Sequence, residues 1–191
     1  FVLYNRFLYR VEIIKKKRRT LVAPKSSNYR SKVLYLAQNE PDVQATVVRE
    51  VLSELNRLHL SRSIDARVRF HPNQRNSDFE FAGRLKTITQ TVRLEDALIW
   101  SDVVITASST AGLLALMCDI PLVEIRWSKS FSTVGNFALI SNLLVGCDSP
   151  VLILEAIAKA HLLGLEPDRF KQSYESDVLG VIKAAIHHAL T

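Results

Sequence analysis

Apolar and polar positions along this chain fall into alternating strand and helix patterns. Lys32–Leu36 (KVLYL) is a short β-branched and aromatic run that predicts the first core strand. Gln38-Asn39-Glu40-Pro41-Asp42 reads as the turn after it, with Pro41 suited to the first turn of a helix. Val47, Val48, Val51, Leu52, Leu55 and Leu58 then recur at helical spacing, which predicts a helix over Val43–Leu60. Ala66–Phe70 (ARVRF) alternates and predicts a second strand, ended at His71-Pro72 because proline cannot continue an interior strand. Lys86–Thr91 predicts a third strand. Arg93–Trp100, with Leu94, Ala97, Leu98 and Trp100 near helical spacing, predicts a short helix.

The most informative stretch is Asp102–Ile125. The apolar run Val103–Ile105 opens into the small-residue turn Ala107-Ser108-Ser109-Thr110. A helix-forming run, Ala111–Met117, follows, and Pro121–Ile125 closes a strand–turn–helix–strand unit. Ser128–Gly135 reads as polar loop and Phe137–Leu144 as mixed. Asp148-Ser149-Pro150 caps a helix over Val151–Leu163, and an amphipathic helix over Ser176–Leu190 ends the chain. This alternation predicts an α/β fold, a doubly wound parallel sheet with right-handed crossovers. One domain is expected over residues 32–191. Residues 1–31 are expected to be an N-terminal extension or linker from a domain outside this sequence, since the chain opens at Phe1 and not at Met. Within them Tyr4–Ile14 is apolar and aromatic and is expected to pair with, or pack on, the domain.

Composition leaves this picture intact. The chain has 191 residues, 48% hydrophobic and 23% charged, which suits an ordinary globular domain with its own core. Its two cysteines, Cys118 and Cys147, lie in apolar segments without metal-ligand spacing and read as buried thiols, which favours a reducing compartment. The net charge is +6, but without Lys15, Lys16, Lys17, Arg18 and Arg19 it falls to +1, so the basicity is a local patch. That patch suits acidic lipid headgroups or a polyanionic substrate, or is simply a solvated connector. Nucleic acid is not expected, because no recognised nucleic-acid module accompanies it. No apolar run has the length of a signal peptide or a membrane span, which leaves a cytoplasmic protein, or one peripheral at the inner membrane face.

In a parallel sheet the carboxyl ends of the strands share one edge. Three polar clusters follow strands directly: Gln38-Asn39, His71-Pro72-Asn73 and Ser108-Ser109-Thr110. Chain order alone therefore brings them to one rim, where ligands of open α/β sheets bind. Ser108, Ser109 and Thr110 lie at a helix start, where free N–H groups and the helix dipole suit a phosphate. One hydroxyl would suffice as an N-cap. Gly112 allows close approach of a ligand. His71 could donate to a phosphate oxygen or act as acid on a leaving phosphate, and Asn73 and Gln74 could read a base or sugar. Glu95 is a candidate for a ribose or base contact, or a solvated carboxylate, and His187-His188 read as surface. The chain has no Gly-x-Gly-x-x-Gly, no Gly-Lys-Ser/Thr loop and no evident metal cluster.

With these clusters assembled, residues 32–165 resemble the C-terminal, donor-binding half of a two-domain GT-B glycosyltransferase. The resemblance rests on Phe70-His71-Pro72 and on LEDALIWSDVVITASSTAGLLALMCDIP, Leu94–Pro121. A His-Pro paired with a Ser-Ser/Thr turn is similar to bacterial sialyltransferases, polysialyltransferases and capsule Kdo-transferases, and to the glycerophosphotransferases of wall teichoic acid synthesis. The resemblance implies a Rossmann-like half of a GT-B fold. It implies that His71, Ser108, Ser109 and Thr110 hold the phosphate of a CMP- or CDP-linked donor, a substrate, with no cofactor. It implies a surface glycan acceptor brought by a missing N-terminal domain, as in capsule or lipopolysaccharide synthesis, and a fragment that catalyses little alone. Two positions depart from the wider pattern. Leu114-Ala115 stands where many members have Glu-Ala, the Glu gripping a ribose, and Asp119 and Ile120 precede Pro121 where many have Gly. Alternatives are another nucleotide-sugar enzyme such as an epimerase or a glycerophosphotransferase, and a non-catalytic binding or scaffold module that kept the fold.

Overall fold

Strand β1, Ser31–Leu36, is the hub of a parallel sheet with the strand order β3-β2-β1-β4-β5-β6. The computed structural model describes residues 2–21, 29–37, 42–71, 82–107, 109–127 and 144–164. The other strands are β2 (Ile64–Arg69), β3 (Lys86–Thr87), β4 (Val103–Thr106), β5 (Leu122–Ile125) and β6 (Val145–Cys147). All five neighbouring pairs are parallel. The helices are α1 (Val2–Leu21), α2 (Asp42–Leu60), α3 (Leu94–Trp100), α4 (Thr110–Met117) and α5 (Ile153–Gly164). A short 3-10 turn over Pro150–Leu152 leads into α5.

Helices cover both faces of the sheet, so the central strands are mostly apolar. Val33–Leu36 and Val103–Thr106 are entirely buried. Because side chains alternate across a strand, each feeds two cores. Val33 and Tyr35 join Val51, Leu52 and Leu55 of α2 and Ile153, Ile157 and Ala160 of α5 on one face. Leu34 and Leu36 join Val11 and Ile14 of α1, Leu98 of α3 and Leu113–Met117 of α4 on the other. All six apolar positions that predict α2 are buried. β2, nearer the edge, buries Ile64, Ala66 and Val68 and leaves Asp65, Arg67 and Arg69 half-buried.

The first helix departs from the sequence reading. The basic run Lys15–Arg19 is helical and forms the last turns of α1, which lies over α3. Val11, Ile14, Lys15 and Arg18 form one helical stripe. Val11 and Ile14 are buried, and Lys15 Nζ lies 3.0 Å from Asp119 Oδ2. Arg18 Nη1 donates to the Leu98 carbonyl at 3.0 Å and also to that of Ser101, so it caps the end of α3 where carbonyls lack helical partners. Burial lowers the Arg18 pKa, opposed by the Asp102 carboxylate. Asp102 also accepts from the Tyr29 hydroxyl and, at 2.7 Å, from the Lys32 amide. Burial and that carboxylate push the Tyr29 phenol up.

Two further differences are local. The third strand stops at Thr87, and Gln90 and Thr91 belong to a turn held by β2. β6 follows the segment read as mixed, because three residues are too few for a period of two to stand out. The stretches 128–143 and 165–191, with the loop and last helix expected there, lie outside the described residues.

Candidate functional site

A crevice is dictated by the strand order. From the carboxyl end of β1 the chain leaves for α2 on one face, and from that of β4 it leaves for α4 on the other. β1 and β4 are neighbours, so this is the topological switch point of the sheet, the ligand position in open α/β folds. The β1–β4 register runs from Val33↔Val103 to Tyr35↔Ile105. Beyond it the buried Thr106 hydroxyl donates to the Leu36 carbonyl at 3.2 Å. That bond holds the two strands together at the floor of the crevice. On the other side of β1, the Ala37 amide donates to the Arg69 carbonyl at 3.0 Å and ties in the end of β2.

One wall is the start of α4. Ser109 is its N-cap, in extended conformation (φ −121°, ψ 145°), and its Oγ accepts from the Gly112 amide at 3.2 Å. The Ser109 carbonyl accepts the first intrahelical bond, from Leu113 at 3.2 Å. The N–H groups of Thr110 and Ala111 precede that bond, as the orphan donors of any helix start do. No acidic residue lies in the first turn, so the positive end of the dipole is not neutralised there. Thr110 is exposed and Gly112 is buried.

His71 lies directly after β2, exposed, next to the buried Phe70. β2 adjoins β1 in parallel, so His71, the start of α4 and the end of β1 share the rim. Gln38, Pro72, Asn73 and Ser108 lie outside the described residues.

Glu95 has a use that the sequence did not disclose. It sits in the first turn of α3, at 8% exposure, with Oε1 2.6 Å from Arg10 Nε and 3.6 Å from Arg93 Nη2. Burial alone would raise its carboxyl. A main-chain hydrogen bond of its own residue and the Arg10 and Arg93 side chains outweigh that and hold it below the usual range. A ribose contact through Glu95 would have to compete with Arg10. Leu114, where the resembled families carry the ribose-gripping Glu, is buried in the core under α4.

The residue that sequence reasoning missed at this rim is Arg69. Its Nη1 donates to the carbonyls of Thr89 (3.2 Å) and Val92 (2.7 Å), and its Nη2 to Gln90 Oε1 (3.0 Å). The signal was present: Arg69 has the half-buried parity of β2 and ends the strand beside His71. Arg67, two residues back on that face, stacks over the Trp100 ring at 3.8 Å from its centroid.

The basic run is divided by its packing. Lys15 and Arg18 are engaged as described, while Lys16, Lys17 and Arg19 are exposed. Lys16 and Arg19 line a depression along the outer side of α1 with Tyr9, Glu12, Ile13 and Thr20. No helix among the described residues is long and apolar enough to cross a membrane.

No family model and no curated protein matches this chain. Solved structures do. The N-terminal domain of a Candida albicans trehalose-6-phosphate phosphatase aligns with a TM-score of 0.53 at 11% identity, over 96% of this chain and 44% of that one. An O-GlcNAc transferase mutant from Thermobaculum terrenum aligns at 0.47 and 18%, over 88% and 36%. Thermosulfurimonas dismutans KpsC, a beta Kdo 2,4 transferase, aligns at 0.37 and 17%, over 63% and 44%. The chain thus spans less than half the length of each. At such identities the likeness speaks for the fold, and the first of the three alignments agrees with what the strand order states directly: an open, doubly wound, Rossmann-like α/β domain.

Proposed function

We propose that this chain is the donor-binding domain of a glycosyltransferase that takes a nucleotide-linked sugar, CMP-linked in the first instance. One observation carries the reading. The parallel order β3-β2-β1-β4-β5-β6 sets the Ser109-capped start of α4 on the β1–β4 crevice, with His71 one strand away. The His-Pro and Ser-Ser-Thr sequences at these places supply the cytidine preference by resemblance.

In this reading the α4 amides and the Ser109 and Thr110 hydroxyls receive the donor phosphate. As the glycosidic bond breaks, charge grows on the departing phosphate. The helix N-terminus and a proton or hydrogen bond from His71 stabilise that charge where it develops. The acceptor, a surface glycan, and the base that activates it come from a domain outside this sequence. Any contact with an acidic membrane at the inner face runs through Lys16, Lys17 and Arg19, each worth about 1 kcal/mol near such a surface.

Calorimetric titration with CMP, CDP, UDP and GDP, repeated on His71→Ala and Ser109→Ala, tests this. Saturable cytidine-nucleotide binding, weakened in both variants, is expected. Tighter UDP binding would redirect the reading to a UDP-sugar enzyme, and turnover without an acceptor to an epimerase. Absence of binding by all four, repeated on a longer chain that includes any further domain, would favour a non-catalytic scaffold.

A further inference from the structure

The end of β2 and the turn after β3 are closed into a ring by two side chains. Arg69 reaches from β2 to the 89–92 turn with three hydrogen bonds, two to the main-chain carbonyls of Thr89 and Val92 and one to the side-chain Oε1 of Gln90. Gln90 reaches back, its Nε2 donating to the Phe70 carbonyl at 2.6 Å. The hydroxyls of Thr89 and Thr91, 2.6 Å apart, brace the turn. Gln90 is thus oriented by Arg69 on its oxygen and grips Phe70 with its nitrogen.

The gripped atom matters because of what shares its plane. The Phe70 carbonyl and the His71 amide belong to one planar peptide unit. A bond that fixes the direction of that carbonyl also fixes the direction in which His71 leaves the strand. Past Phe70 the sheet offers His71 no strand of its own, since β2 ends at Arg69. A guanidinium at a sheet edge commonly meets a carboxylate or solvent. Here its described bonds go to two main-chain carbonyls and one amide, and burial has lowered its pKa.

We propose that Arg69 and Gln90 are positioning residues that aim His71 at the β1–β4 crevice and so set the affinity of the site for a nucleotide phosphate. The proposal rests on the donor-binding reading above.

Gln90→Glu isolates the device. A glutamate still accepts from Arg69 but cannot donate to Phe70 O, and Gln90 is exposed, so the variant folds. The full chain is titrated with CMP as wild type, Gln90→Glu, His71→Ala and the double variant. The His71 amide and ring resonances are followed by NMR in each chain that retains them. The expected result is a shifted His71 resonance in Gln90→Glu and about tenfold weaker CMP binding, the worth of one hydrogen bond. The double variant is then no weaker than His71→Ala alone. Arg69→Lys, which keeps the charge but not the fork, behaves like Gln90→Glu. Unchanged affinity in Gln90→Glu, or additive losses in the double variant, overturns the proposal. So does normal CMP binding by His71→Ala, while Ser109-dependent binding then leaves the donor reading standing. A wild type that takes no nucleotide, here and on a longer chain that includes any further domain, removes the donor reading and the positioning role together.

Discussion

Arg10 Nε and Glu95 Oε1 are 2.6 Å apart across 85 positions of sequence, and this ion pair fastens α1 to the start of α3. Glu95 is well enclosed, with its side chain 11% exposed against 43% for Arg10. Removing Arg10 therefore strands a carboxylate that has lost most of its water, leaving it with its main-chain hydrogen bond and the longer contact with Arg93. Arg10→Ala should cost about 1–2 kcal/mol in urea unfolding.

The same pair predicts an acid limb in stability. The Glu95 carboxyl is held below its usual range in the folded chain, so folding favours its ionised form. That stability is fully present above the unfolded value of about 4.3, and is lost as pH falls through the lower folded value. Glu95→Gln should be less stable at pH 7 and flatter with pH below about 4.3 than wild type. Urea midpoints over a pH series read this. A parallel acid limb in both proteins would remove Glu95 from the account.

Ser109 has two roles to separate. Ser109→Ala loses the cap on Gly112 and should cost about 1 kcal/mol of stability. Ser109→Asp caps equally well but sets a negative charge where the phosphate is proposed to sit. Thermal unfolding near wild type together with lost nucleotide binding is expected of Ser109→Asp. Undiminished binding there would move the phosphate away from α4.

Asp119 ends α4 in a left-handed conformation, φ 57°. The Ile120 amide donates to Ala115 O and the Asp119 amide to Leu116 O, both at 3.0 Å, the Schellman pairing of a helix C-terminus. Asp119→Val should lose about 1–2 kcal/mol to backbone strain. Asp119→Gly relieves strain but breaks the contact with Lys15, so its net change should be smaller than that of Asp119→Val. Denaturant midpoints of the two variants rank these effects.

Cys118 is a free, buried thiol whose pKa burial pushes up to about 12. Cys147 is also buried and raised, and its Sγ donates to the Ser149 carbonyl at 3.3 Å. Neither should react with a thiol reagent at pH 8 in the native protein, and both should react once it is unfolded in urea. Rapid labelling of Cys118 in the folded chain would contradict its burial at the end of α4.

By itself the sequence determined the elements whose burial is regular. The stripe Val47–Leu58 specified α2, the continuous apolar run Val103–Ile105 specified β4, and the alternation over Ala66–Phe70 located β2, observed at Ile64–Arg69, since periods of 3.6 and 2 record which side faces a core. It also located the polar turns, and so the start of α4 and His71, because strand ends and helix caps are local chemistry. Only the tertiary structure decided what depends on partners far along the chain. The position of β1 between β2 and β4 makes the crevice, and no local pattern encodes strand order. α1 stays on the sheet through Val11, Ile14, Arg10, Lys15 and Arg18, whose partners include Glu95, Asp119, Leu98 and Ser101. The fold also pairs Glu95, a candidate ligand group, with Arg10, and gives Arg69 a turn to hold 20 residues beyond it. A charged side chain has no periodicity that names its partner; only the folded chain brings the two within hydrogen-bond reach.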